Sequence, residues 1–116
     1  MLPVWRLFLL RKKVYKGEIK MADVLVSFKV IPKVKDGNTY EVVDKAIEVV
    51  QASGVKYEVG AMETVMEGEM DHLLNIVKEA QEACIKAGAL DVLTTINIHY
   101  RPEGVTMDEK IKKYRS

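Results

Sequence analysis

VKYEVGAMETVMEGEMDH, residues 55–72, decides the fold. Val55–Gly60 and Thr64–Glu67 each have the length and β-rich composition of a strand, and a tight connection around Ala61-Met62 joins them. Gly68 breaks the second strand. A helical pattern then runs from Glu69 to Ala87, with Leu73, Ile76, Val77, Ala80, Ala83, Cys84 and Ala87 on its inner face. The same stretch crowds Glu63, Glu67, Glu69 and Asp71 together. Glu69 and Asp71 suit the positive end of a helix dipole, and Glu63 suits a solvated turn. Glu67 stands at the end of a strand, beside Gly68.

Upstream, Asp23–Ile31 alternates: Val24, Val26, Phe28 and Val30 on one face, Leu25, Ser27, Lys29 and Ile31 on the other. That is a strand, expected to end at Pro32. Asp36-Gly37-Asn38 signals a turn, and Asn38 or Thr39 can cap the next helix. Tyr40, Val43, Ala46, Ile47 and Val50 recur at helical spacing there, and Gly54 ends it. Downstream, Gly88 closes the second helix and Asp91–Tyr100 alternates as a fourth strand. Thr106 with Glu109 has capping-box spacing for a short helix over Met107–Tyr114. The order is β-α-β-β-α-β plus a C-terminal helix, so the expected class is α+β: a ferredoxin-like sandwich with an added helix. Its second sheet face, bearing Leu25, Ser27, Lys29, Ile31, Thr95, Asn97 and His99, is expected to lack cover in a monomer. A half-apolar open face implies a partner or a ligand, and so a homo-oligomer.

The bulk numbers exclude several classes. The 116 residues suit one domain, with 48% hydrophobic and 30% charged residues, a globular balance. Residues 1–20 carry a net charge of +5 and the remainder −4. An acidic domain disfavours nucleic acid, and Leu7–Leu10 is too short an apolar run to span a membrane. The expectation is no nucleic-acid and no membrane partner. A single cysteine, Cys84, permits no internal disulfide, which fits a reducing cytoplasm. With two histidines beside it, a cysteine–histidine zinc site is excluded too. Residues 1–20 are set apart as a leader, disordered or upstream of a true start at Met21, and 21–116 form the domain. The PKVKDGN loop after the first strand has no arginine of the acylphosphatase kind. No Ser/His/Asp or Cys/His pair points to an enzyme. Phe28 lies on the core face, where it could not stack RNA bases.

VSFKVIP, the run from Tyr57 to Gly68, DVLTTINIHYR and VTMDEKIKKYR together resemble the YkoF-like thiamine-binding proteins in their small single-domain form. The resemblance covers residues 22–115. It implies a ferredoxin-like homotetramer, a dimer of dimers, that binds thiamine or its hydroxymethylpyrimidine half without catalysis or a cofactor. Thiamine joins an aminopyrimidine to a thiazolium cation, so a site needs an apolar slot, hydrogen-bonding groups and negative potential. Ser27 and Thr64 offer hydroxyls, Glu67 an acceptor, and Ile31 and Met62 apolar walls. In a flat strand Thr64 and Glu67 point to opposite faces. A shared pocket therefore needs a bulge in the strand, Glu67 past the strand end beside Gly68, or a second subunit, of which the last two are favoured. Either places the pocket near the strand-to-helix junction, close to a subunit interface. The alternative is a small oligomeric regulatory or assembly protein with a different ligand.

Overall fold

The computed structural model describes residues 22–115; the leader 1–20 and the start at Met21 lie outside them. Four strands, β1 (Val24–Lys33), β2 (Lys56–Val59), β3 (Thr64–Gly68) and β4 (Asp91–His99), form one antiparallel sheet in the order β2-β3-β1-β4. Helices α1 (Thr39–Ala52) and α2 (Met70–Lys86) cross one face. The expected ferredoxin-like architecture is the one observed.

Alternation along β1 sends Val24, Val26 and Phe28 into the layer between sheet and helices, where Met66 of β3 joins them. From α2, Leu73, Ile76, Val77, Ala80 and Cys84 close over them, a stripe at helical spacing. Each large side chain removed from water there contributes roughly 1.5–3 kcal/mol. Ala87, expected on that stripe, is exposed. α1 also departs from expectation. Its buried face is Val42, Ala46 and Val50; Val43 and Ile47 flank it half-buried, and Tyr40 is 85% exposed.

Helix ends follow local chemistry. The Asn38 side chain accepts from the Glu41 N–H, and the Glu69 carboxylate accepts from the Asp71 and His72 N–H groups. Gly54 and Gly88, at φ +80° and +107°, end α1 and α2 in the left-handed region.

Pro32 does not end β1, which runs on to Lys33 paired with Asp91 of β4. The β3 pairing stops earlier, at Phe28 with Thr64. Beyond Phe28 one side of β1 is therefore a free sheet edge, where a residue without an N–H is tolerated.

The outer sheet face is not bare. The short helix α3 (Met107–Ile111), continued by a 3-10 turn over Lys112–Tyr114, folds back onto it. Met107 and Val105 bury Leu25, with Val65 and Ile111 packed alongside. The expectation of an uncovered second face thus holds for its β4 side, where Leu93, Thr95, Asn97 and His99 are exposed, and for Ile31 near the end of β1.

Candidate functional site

Two ligand-sized cavities meet the β2–β3 connection. The first, about 350 Å³, lies at the tip of the hairpin, beside the free edge of β1. Residues 60–63 make the connection, closed by the Gly60 N–H donating to the Glu63 carbonyl at 2.9 Å. Gly60 is required there by close approach: a Cβ would stand 2.9 Å from that same carbonyl oxygen. The hairpin sets Met62, Glu63 and Thr64 opposite Ile31 of β1 and Ile47 of α1. Phe28 supplies an aromatic wall. Thr64 is buried, whereas Met62 at the mouth is 75% exposed.

The second cavity, about 300 Å³, lies on the outer face between the sheet and α3. Leu25 and Val65 form its floor and Met107 and Ile111 its roof, with Ser27, Asn97 and His99 on one side and Glu58 and Glu63 on the other. Glu58 is tied to the Arg115 guanidinium, whose Nη2 donates to Oε2 at 2.6 Å.

These cavities divide the residues expected to act together. Ile31, Met62 and Thr64 converge on the hairpin-tip cavity; Ser27 lines the sheet-face cavity. Glu67 lines neither. Its Oε1 accepts from the Met107 N–H at 2.7 Å, so it caps the N-terminus of α3. The cause is the register: Glu67 pairs with Leu25 on the outer face, under α3, while Thr64 pairs with Phe28 on the core face. Period-two geometry separates the two and no bulge corrects it. Both cavities also reach Glu63, so they meet at the turn end of β3 and not at its junction with α2. Glu63 read as a plain turn residue. The signal that would have singled it out is its place directly before Thr64 in a loop of four, which puts its side chain at the hairpin tip.

Around α3 the electrostatics are those of a clasp. The Glu109 carboxyl is held below the usual carboxylate range, first by the hydrogen bond from Arg101 and then by the Thr106 N–H. Lys56 is raised by its 3.0 Å hydrogen bond to Asp108. Thr106 completes the capping box with Glu109. Elsewhere, burial pushes the Cys84 thiol up, as befits a core cysteine.

A four-stranded sandwich with ligand-sized cavities at a hairpin tip and under a C-terminal clasp defines a small α+β module built around concave surfaces. More narrowly, residues 26–115 match the family described as thiamine-binding protein, and the chain belongs to it. A UPF0045 protein of Clostridium perfringens is 56% identical over 90 residues, 78% of this chain and 95% of that protein. A UPF0045 protein of Methanocaldococcus jannaschii is 33% identical over 95 residues, 81% and 94% of the two chains. The solved structure of a domain of unknown function from Bacillus cereus superimposes with a TM-score of 0.79 at 63% identity, over 81% of this chain and 91% of that one. A Thermotoga maritima structure, assigned provisionally to thiamine biosynthesis or salvage, gives a TM-score of 0.74 at 41% identity, over 80% and 99%.

Proposed function

We propose that this protein binds thiamine or its hydroxymethylpyrimidine half, without catalysis, in the cavity at the β2–β3 hairpin tip. The observation that carries the reading is the convergence there of Thr64, Met62, Ile31 and Glu63 in a chain of the thiamine-binding family. An aminopyrimidine is flat, apolar on its faces and polar on its edge. Phe28, Met62 and Ile47 supply apolar contact for the faces. The Thr64 hydroxyl, which both donates and accepts, suits the alternating donors and acceptors of the edge. Glu63 contributes negative potential for the thiazolium cation.

Copies of the chain are proposed to associate as a dimer of dimers. β4 is an edge strand of nine residues with Leu93, Ile96 and Ile98 exposed, and such an edge invites a second copy. That arrangement would set subunit contacts close to the outer-face cavity, which Asn97 and His99 of β4 line. The residues of the domain and the absence of a disulfide suit a cytoplasmic role.

Calorimetry with thiamine, hydroxymethylpyrimidine and thiamine diphosphate tests the reading. Thr64→Val keeps the shape and removes the hydroxyl. A hydrogen bond worth about 0.5–1.5 kcal/mol predicts a roughly two- to tenfold loss of affinity with an unchanged melting temperature. Absence of binding by all three compounds would favour the regulatory or assembly role with a different ligand.

A further inference from the structure

Glu63 lines both cavities. Ser27 of the sheet-face cavity and Lys29 of the hairpin-tip cavity are alternate residues of β1 on one face, about 7 Å apart. β3 ends beside Phe28, so past that point the sheet has no third strand to divide the two spaces. We infer that the two cavities are halves of one bipartite site for a two-ring ligand: an uncharged aminopyrimidine in the hairpin-tip cavity, a cationic five-membered ring in the sheet-face cavity, and Glu63 at the joint between them. This rests on the thiamine reading above and adds where each ring lies.

The chemistry of the joint supports Glu63 as the group shared by the two rings. In thiamine a single methylene links the pyrimidine to the quaternary nitrogen of the thiazolium, so the fixed positive charge sits at the junction of the rings. Glu63 is the carboxylate at the junction of the cavities. Glu58, the other acid of the sheet-face cavity, already faces Arg115, whereas Glu63 makes no ion pair among the described residues. Lys110 stands exposed at the rim, where it can turn to solvent. The floor of Leu25 and Val65 suits the flat face of a soft cation, and Ser27 and Asn97 offer partners to its hydroxyethyl arm. The reverse order would bring the cation beside the half-buried Lys29 of the hairpin-tip cavity and leave Ser27 and Asn97 without the hydroxyethyl arm.

Competition calorimetry on the wild-type chain tests the inference, with hydroxymethylpyrimidine, an N-methylthiazolium carrying the hydroxyethyl arm, and intact thiamine. Thiamine is expected to bind at least tenfold more tightly than the pyrimidine, and the thiazolium to bind chain already saturated with pyrimidine. Glu63→Gln should lower thiamine affinity at least tenfold while changing pyrimidine affinity less than threefold. Ser27→Phe, which fills the sheet-face cavity, should bring thiamine down to the affinity of the pyrimidine alone. Displacement of the pyrimidine by the thiazolium, or thiamine binding no tighter than pyrimidine, would overturn the bipartite site and leave the single-cavity reading standing. Failure of both thiamine and pyrimidine to bind the wild-type chain would overturn both.

Discussion

Glu63 and Glu67 are carboxylates on one short segment with unlike surroundings. Glu67 serves the fold: its Oε1 holds the Met107 N–H at 2.7 Å. Glu67→Ala should therefore free the start of α3, at a cost of about 1 kcal/mol, the usual loss for a helix cap. It should leave hydroxymethylpyrimidine affinity unchanged, and faster amide exchange at Met107 with an unaltered pyrimidine isotherm checks both. Two glycines of the same segment also differ. A Cβ at Gly60 meets backbone, the Glu63 carbonyl oxygen, at 2.9 Å; at Gly68 it meets the far end of the Leu73 side chain at 3.2 Å. Gly60→Ala should destabilise by about 1–3 kcal/mol and weaken binding by moving Glu63, while Gly68→Ala should be the milder change in both. Melting curves and calorimetry on the pair decide it. That Glu67 lines neither cavity could not be read from the chain, because the donor it satisfies lies forty residues further on.

α3 is the element whose docking has most consequence, since it roofs the sheet-face cavity. Met107 and Ile111 anchor it through apolar contact. The Lys56–Asp108 and Arg101–Glu109 pairs are exposed and screened by solvent, so they add little beside that contact. The depressed Glu109 carboxyl makes the clasp sensitive to acid. A group whose folded value lies below its unfolded one stabilises fully above the unfolded value and loses that contribution as pH falls through the folded one. Acidification below the usual carboxylate range should therefore loosen α3 before the sandwich melts. Amide signals of Thr106 and Glu109 should shift together, and Glu109→Gln should remove the dependence. The capping box was legible because its partners are three residues apart. The docking of α3 was not: a helix of five residues with two apolar side chains names no particular surface to cover.

At the level of the whole molecule, β4 stands out. Its core-facing Ile96 and Ile98 are 41% and 46% exposed, and Leu93 on the other face is 64% exposed. The two helices cover the middle of the sheet and leave this edge uncovered. If copies associate through it, Leu93→Lys should move the sedimentation profile to smaller species without changing the helical signal of the chain; an unchanged profile would place the contact elsewhere. The layer order was readable in advance because strand alternation assigns every β1 residue a side. The face of α1 was not. Its sequence pairs apolar residues, Val42 with Val43 and Ala46 with Ile47, so two stripes about 100° apart are equally apolar.

The chain alone determined what depends on neighbours in sequence: strand periodicity, helix caps, glycine stops and hence the β-α-β-β-α-β order, since these interactions close within a few residues. Tertiary structure decided which apolar stripe of α1 faces the sheet, that α3 folds over the outer face, that Glu67 caps it, and that Glu63 rather than Glu67 joins Thr64 at the cavities. Each of those depends on contacts between segments far apart in the chain, and local pattern carries no information about which distant surface will be there to meet a side chain.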